Sequence, residues 1–157
     1  MVAKNSRALR VVQARLHHLE TLVPLFDNYR RFYGQASQRA LAESFLEARL
    51  RQFDSVIFLA LDADSGLGLG FTQLFPSFSS VSGQALWILN DLFVSKTARR
   101  RGVGRELMEA ARAHSVATGS KGLLLSTQIN NKAAQKLYEG LGYERDSQFY
   151  SYFLRTP

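Results

Sequence analysis

The apolar residues of this 157-residue chain follow two alternating spacings, one helical and one extended. Apolar positions three or four residues apart predict helices, and short apolar runs bounded by turn residues predict strands. The resulting element order is β-α-α-β-β-β-α-β-α-β. The predicted elements cover residues 7–14, 18–34, 37–53, 55–62, 68–76, 85–94, 104–119, 122–127, 131–142 and 148–155.

This order predicts an α+β fold around one mixed sheet. The turn sequence DADSGLG joins the second and third strands and predicts a hairpin. The later strand–helix–strand unit predicts a right-handed crossover between parallel strands. No linker or repeat divides the sequence and its length suits one core, so we expect a single domain over residues 1–157.

Helical periodicity also predicts which side chains face the core. In the second helix these are Leu41, Phe45, Leu46, Leu50 and Phe53. The helical stripe also favours a core position for Phe32, and Trp87 is expected in the core as well. His114 lies in the middle of a helix and is expected at the surface.

Composition narrows the class of protein. The chain has no cysteine, which excludes disulfides, thiolate nucleophiles and Cys-based zinc sites, and its histidines have no metal-ligand spacing. The first residues lack the apolar run of a signal peptide, and no segment has about 20 consecutive apolar residues. We therefore expect a cytoplasmic protein that does not bind membranes. The net charge of +7 makes an anionic partner plausible without identifying it.

The stretch TARRRGVGREL (97–107) lies between a predicted strand and a predicted helix. A helix start has free N–H groups and the positive end of the dipole, and glycines at 102 and 104 let an anion approach the main chain. A pyrophosphate fits this geometry. The stretch matches neither a Walker A loop nor a GxGxxG fingerprint, because residue 107 is leucine. Taken alone, it is equally consistent with a charged helix start.

Three motifs, in order along the chain, resemble the GNAT superfamily of acyl-CoA-dependent N-acetyltransferases. LNDLFV (89–94) is similar to that family's fourth strand. Residues 99–104 are similar to its [Q/R]-x-x-G-x-[G/A] pyrophosphate loop, and NKAAQKLYEGLGY (131–143) to its N-x-x-A-x-x-L-Y-E-x-x-G-[FY] helix. The resemblance implies a mostly antiparallel sheet with helices on both faces. It also implies that the parallel fourth and fifth strands splay apart, often at a β-bulge.

The same resemblance implies that acetyl-CoA is the co-substrate and enters the wedge between those two strands. The pantetheine arm would pair with main chain of the fourth strand, and the pyrophosphate would lie on the amides of the basic loop. The residues expected to hold acetyl-CoA are Leu92, Phe93, Val94, Arg99, Arg100, Arg101, Gly102, Val103, Gly104, Arg105, Asn131 and Tyr138. Which arginine reaches the 3′-phosphate stays open.

Two residues of the third motif carry specific expectations. The leaving thiolate needs a proton, and the resemblance implies that Tyr138 supplies it as general acid. The alternative for Tyr138 is a ring packed on the sheet. Asn131 is a good helix N-cap. The resemblance implies that it also touches the acetyl-CoA arm, and the two roles are compatible.

Asp91 is the candidate on the acceptor side of the reaction. An attacking ammonium must lose a proton, and a carboxylate accepts it through water or holds the amine by charge. The alternative is an ordinary strand carboxylate. A polyamine-acetylating branch of the family tends to have Glu-Asp where this chain has Asn90-Asp91. This departure leaves open whether a carboxylate or a water chain acts as the base.

The aromatic end of the first helix is the predicted acceptor wall. The resemblance implies that the region between the first two helices borders the acceptor, and Tyr29 and Tyr33 lie there. Aromatic faces hold amines by cation–π contact. For Tyr29, a core position is the competing interpretation.

The sequence therefore predicts an N-acetyltransferase that moves an acetyl group to a small-molecule amine by direct attack in a ternary complex. The alternatives are a protein or peptide acceptor, a CoA-binding protein without catalysis, and a nucleic-acid binder. The last is disfavoured because Glu106 and Glu109 follow the arginines and would repel phosphates. We also expect a homodimer, since the family often dimerises and the segment FYSYFL (149–154) is aromatic.

Overall fold

The structure is a computed structural model that describes residues 8–157. Two compact units follow one another, Met1–Leu125 and Ser126–Pro157. The strands all belong to the first unit and are β1 (Leu9–Gln13), β2 (Val56–Asp62), β3 (Gly68–Ser79), β4 (Gln84–Val94) and β5 (Leu123–Leu124). The helices of the first unit are α1 (Leu19–Phe32), α2 (Arg39–Gln52) and α3 (Val103–Ala117). The second unit contains helix α4 (Lys132–Gly140).

The five described strands form one sheet in the order β1-β2-β3-β4-β5. Neighbouring strands are antiparallel except β4 and β5, which are parallel. The predicted α+β fold, with its mostly antiparallel mixed sheet, is therefore confirmed, as is the order of elements as far as α4. Arg7, the first residue of the first predicted strand, lies outside the described residues.

The sheet is covered by helices on both faces, as predicted. Side chains alternate between the faces of a strand, so neighbouring residues enter different clusters. Leu59 and Phe71 pack with α1 and α2 in one cluster, and Ala60 packs with Val103 and Leu107 of α3 in the other. These clusters pack β4 between the helices and fix the position of its C-terminal end.

Helix α2 faces the core through a narrower stripe than its periodicity predicts. Ala42 and Leu46 are fully buried. The prediction was wrong for Leu41 and Phe53, which are 51% and 77% exposed. Leu41 lies about 100° around the helix from Ala42. Phe53 has a φ of 53° and follows the last helical residue, so its side chain leaves the helix axis.

Three other expectations for aromatic and histidine side chains need correction. Phe32 is more than half exposed rather than in the core. His114 is half-buried instead of lying on the surface, with its ring 5.7 Å from Phe58 and 4.8 Å from Trp87. Trp87 is itself only partly buried, and its Nε1 donates to Thr118 Oγ1 at 2.9 Å.

The prediction of a closing strand over residues 148–155 was wrong. Residues 144–157 contain neither strand nor helix. Their apolar side chains are 80–92% exposed, namely Phe149, Tyr150, Tyr152, Phe153 and Leu154. A strand needs a paired neighbour to be stable. These apolar residues also occupy adjacent positions, so no single face collects them.

Candidate functional site

The open part of β4 is the feature that organises the site in the first unit. Strand β5 pairs with β4 only at Trp87 and Ile88, and β4 then continues to Val94 without it. The register between β3 and β4 shifts at this point, so that Asn90 is an extra residue in β4. A β-bulge of this kind bends the strand. The predicted splay of the fourth and fifth strands thus begins at a bulge.

Main-chain groups of Leu92 and Val94 face the open edge of β4. The amide of Ser95 donates to Leu69 O at 2.9 Å, toward β3. Alternate residues of an antiparallel strand bond to the same neighbour, so Phe93 also faces β3 and the residues between face away from it. In agreement, Arg99 Nε reaches Val94 O at 3.3 Å. An extended ligand along this edge would therefore reach the main chain of Leu92 and Val94, two of the three residues predicted, but not that of Phe93.

The basic loop between β4 and α3 has two left-handed residues. Arg100 has a φ of 62° and Gly102 a φ of 79°, and α3 begins at Val103. Turns of this kind gather successive N–H groups into an anion-binding concavity, which here adjoins the free amides of the first helical turn. A Cβ at Gly102 would meet no atom within 4 Å. The glycine is therefore required by the backbone angle and not by lack of space.

The arginine side chains of this loop have different partners. Arg101 Nη2 lies 3.7 Å from Asp62 Oδ2 at the end of β2. The other oxygen of Asp62 accepts from the amide and hydroxyl of Ser65 at 3.1 and 3.0 Å. The side chains of Arg100 and Arg105 are exposed. Asp62 was missed by the sequence analysis, although the turn DADSGLG that orients it was recognised.

Asp91 is buried, and both of its carboxylate oxygens accept hydrogen bonds. Gln73 Nε2 donates to Oδ2 at 2.7 Å, and Asn90 Nδ2 donates to Oδ1 at 3.1 Å. Thr72 Oγ1 donates to the Asp91 carbonyl at 2.8 Å. A buried charge is tolerated when it is hydrogen-bonded in this way. Gln73 and Thr72 could not be predicted from the sequence, since only the register of β3 against β4 brings them to Asp91.

Tyr29 and Tyr33 lie on the same side of the sheet as Asp91. Asp91 and Phe93 are two residues apart in β4 and share a face. The Tyr29 ring lies 6.4 Å from Phe93 and 5.8 Å from Phe71. Tyr33 stacks edge-on against Tyr29 at 5.1 Å and is 42% exposed. Tyr29 is thus largely a core residue, whereas Tyr33 offers a free aromatic surface.

A carboxylate that the sequence analysis missed holds the connection between α1 and α2. Asp27 is buried in α1 and accepts from Ser37 Oγ at 2.6 Å and from the Gln38 amide at 2.8 Å. The Ser37 and Gln38 hydrogen bonds lower the pKa of Asp27 below its usual value. This clamp fixes the loop that follows Tyr33.

The second unit holds the two remaining predicted residues. Asn131 caps α4, its Oδ1 accepting from Ala134 N at 3.2 Å. At the other end, Tyr143 N donates to Tyr138 O at 3.0 Å, and Gly142 has a φ of 89°. This is the pattern of a Schellman ending, in which the left-handed residue is usually glycine. The half-buried Tyr138 lies with its ring 6.0 Å from that of Tyr143.

The first unit also contains a cavity. It has a volume of about 850 Å³ and is formed by the end of β1, the end of α2 and the start of β2. Its lining includes Arg15, Leu50, Phe53 and Ser55 but none of the predicted site residues. Among residues 8–157, no group of three or more metal-ligating side chains is found, and no helix is long and apolar enough to cross a membrane.

Comparison with known proteins identifies the family. A family profile described as an acetyltransferase (GNAT) domain matches residues 54–145. The chain is 45% identical over 149 residues to the N-acetyltransferase YhfO of Bacillus subtilis, covering 95% of this chain and 99% of that protein. It also resembles the crystal structure of a probable acetyltransferase with a TM-score of 0.89 and 44% identity, over 94% of this chain and 98% of that one.

Two partial matches have names that state different acceptors. The D-amino-acid N-acetyltransferase HPA3 of Saccharomyces cerevisiae is 32% identical over 59% of this chain and 57% of its own length. The N-alpha-acetyltransferase 30 of Homo sapiens is 40% identical over 40% of this chain and 17% of its own length. With the profile match and the full-length relative, the chain belongs to the GNAT family and is an acetyl-CoA-dependent acetyltransferase.

Proposed function

We propose that this enzyme transfers the acetyl group of acetyl-CoA to a primary amine of a small molecule, by direct attack in a ternary complex. The observation that carries the proposal is the buried, doubly hydrogen-bonded carboxylate of Asp91. Asp91 is in the open part of β4, and its side chain lies on the sheet face where Tyr29 packs against Phe93. A fixed negative charge beside aromatic surface suits an ammonium group.

In this proposal the chain's own residues handle the protons. The acceptor arrives as an ammonium ion, and its first proton passes to Asp91, directly or through water. The free amine then forms the N–C bond as the C–S bond of the thioester breaks. A second N–H proton is lost to water as the amide forms, and Tyr138, after donating its proton to the departing sulfur, is reprotonated from water. Direct attack agrees with a chain that contains no cysteine nucleophile.

For acetyl-CoA itself, the proposal assigns the pantetheine arm to the β4 edge at Leu92 and Val94 and the pyrophosphate to the amides from Arg100 to Arg105. The free main-chain edge and the positive φ angles of the loop support this assignment. Arg101 is already paired with Asp62 and Arg99 with Val94 O, which leaves Arg100 and Arg105 as candidates for the 3′-phosphate. Asn131 is proposed to contact the same arm.

A thiol-release assay across acceptor classes tests the proposed function. The panel contains small primary amines, D- and L-amino acids, polyamines, aminoglycosides and peptides with free N-termini. We expect turnover with small amines or amino acids, and we expect Asp91→Asn to lower kcat/KM roughly 10²–10⁴-fold. Lys136→Gln, an exposed change in α4, is the control and retains activity. No turnover with any amine despite CoA binding would favour a non-catalytic CoA-binding protein.

A protein N-terminus is the second candidate acceptor, because a partial match is named for N-alpha acetylation. We favour small molecules since the chain carries a charge of +7, which disfavours cationic peptides. The match to a D-amino-acid N-acetyltransferase also supports a small acceptor. Turnover with the peptides alone would reverse this choice.

Dimerisation and a cytoplasmic location stay predictions. For a homodimer, the support is the exposed apolar segment 149–154, because large apolar patches favour association. Light scattering of the full chain tests it, with Phe149→Ser/Phe153→Ser expected to shift a dimer toward monomer. A single domain over residues 1–157 also stays a prediction, supported by a family match on both sides of Leu125.

A further inference from the structure

The buried amide of Gln73 joins Asp91 to a residue far from it in sequence. Gln73 lies in β3 and is fully buried. Its Nε2 donates to Asp91 Oδ2 at 2.7 Å, and its Oε1 accepts from Ser55 Oγ at 3.0 Å. Ser55 immediately precedes β2, so these contacts run from β4 through β3 to the residue before β2.

The chemistry of these groups fixes the orientation of the Gln73 side chain. An ionised carboxylate only accepts hydrogen bonds, so the amide must turn its NH₂ toward Asp91. The amide oxygen then faces Ser55, whose hydroxyl is able to donate. If Ser55 is removed, nothing among these contacts holds the amide oxygen, and the NH₂ loses its fixed direction.

An amide does not pass protons under these conditions, so the chain of contacts is not a proton wire from Asp91 to Ser55. It restricts where the carboxylate points. Gln73 and Asn90 occupy one oxygen each of Asp91. An ionised carboxylate has about four lone-pair sites, which leaves two for a ligand that donates N–H groups.

We propose that Gln73, oriented by Ser55, is a positioning residue that aims the Asp91 carboxylate at the acceptor amine. This inference rests on the proposed function, in which Asp91 receives the amine. It identifies the acceptor as an N–H donor with at least two hydrogens to give, such as a primary ammonium. A tertiary amine does not satisfy both remaining sites.

A double-mutant cycle between Gln73→Met and Asp91→Asn tests the proposal. Methionine keeps the length of glutamine and removes its donor. With the best amine of the panel and saturating acetyl-CoA, we expect Gln73→Met to lower kcat/KM for the amine about tenfold, as for one buried hydrogen bond to a charge. In the Asp91→Asn background the same change is expected to cost less than about twofold, because neighbouring residues in one network are not additive.

Ser55 supplies an independent arm if Gln73→Met does not fold. Ser55→Ala is expected to lower kcat/KM for the amine about threefold, and Ser55→Thr, which keeps the hydroxyl, is expected to restore it. KM for acetyl-CoA and the thermal midpoint are measured for each variant. Both are expected to change far less than kcat/KM for the amine.

Several results would overturn the proposal. Equal losses from Gln73→Met with and without the Asp91 carboxylate would make Gln73 a structural residue only. Equal activity of Ser55→Ala and Ser55→Thr would remove Ser55 from the network. If Asp91→Asn is fully active, the role proposed for Asp91 fails first, and this inference fails with it. If Asp91→Asn lowers kcat/KM as expected but the effects of Gln73→Met and Asp91→Asn are additive, the role of Gln73 is contradicted and the role of Asp91 is not.

Discussion

At the scale of single residues, some buried polar groups have hydrogen-bond partners and others do not. Asp91 and Asp27 are both buried and both hydrogen-bonded through each oxygen. His114 is different, because its Nε2 is buried without a hydrogen-bond partner. A neutral imidazole tolerates that position far better than a charged one.

His114 therefore predicts a pH dependence of stability. Burial lowers its pKa below the ordinary value of about 6.5. The unfolded chain then binds a proton here at higher pH than the folded chain, so stability falls as pH drops below about 6.5 and is unaffected above it. We expect His114→Phe to lose less thermal stability than the unmodified protein between pH 7 and pH 5, by calorimetry.

Thr118→Val is the matched control for that measurement. It removes the partner of Trp87 Nε1 but leaves the imidazole in place. It should retain the pH dependence of the unmodified protein. Identical slopes in His114→Phe and the unmodified protein would show that His114 does not carry the effect.

Tyr138 predicts a split between binding and turnover. Tyr138→Phe keeps the ring that lies near Tyr143 and removes only the hydroxyl. We expect folding and CoA affinity to be preserved while kcat falls roughly 10²–10⁴-fold, because the leaving sulfur loses its proton donor. Rates of thiol release measure kcat, and titration of the same preparation with CoA measures the affinity. Unchanged kcat would leave Tyr138 with a packing role alone.

At the scale of elements, the contacts around β4 decide the shape of the open edge. Gly70 of β3 lies opposite Val94, and a Cβ at this position would be 2.5 Å from Phe93 O. That oxygen belongs to the backbone, so a change of side-chain rotamer cannot relieve the clash. The close approach of the two strands therefore requires glycine at residue 70.

We predict that Gly70→Ala displaces the end of β4. The expected loss of unfolding free energy is about 1–3 kcal/mol, the range for overpacking a filled core. CoA affinity should fall as well, since the displaced residues include the edge assigned to its arm. Chemical denaturation and CoA titration measure the two effects. Gly140→Ala is the control, as a Cβ there meets nothing within 4 Å.

Most elements could be predicted from the sequence, because each has a local cause. Helix α4 has its cap in Asn131, and the hairpin between β2 and β3 has its turn residues. The prediction of a final strand was wrong because strand pairing is not a local property, and residues 149–154 are not in a strand. Gln73 was missed for a similar reason. Its partner lies 18 residues away and is brought near only by the bulged register of β3 and β4.

At the scale of the whole molecule, charge governs how the anionic cofactor arrives. The net charge is +7, and the loop of 99–105 concentrates four arginines at one helix start. Charge of this kind raises association rates and affinity for anions, and salt screens it.

CoA binding should therefore weaken with salt. We expect its Kd to rise roughly tenfold between low salt and about 1 M, where the screening length falls to about 3 Å. Pantetheine, which lacks the phosphates, is the matched ligand and should bind with little salt dependence. Similar salt dependence for both ligands, measured by titration calorimetry, would contradict a phosphate site in the basic loop.

The fate of a labelled acetyl group tests the central claim most directly. The protein is incubated with acetyl-CoA labelled in the acetyl carbon and with the best small amine of the panel, and the products are separated. We predict that the label appears as an amide on the amine nitrogen, in amounts equal to the CoA thiol released, with none bound to the protein. Label held covalently by the protein, or thiol release without labelled amide, would contradict direct transfer to a small amine.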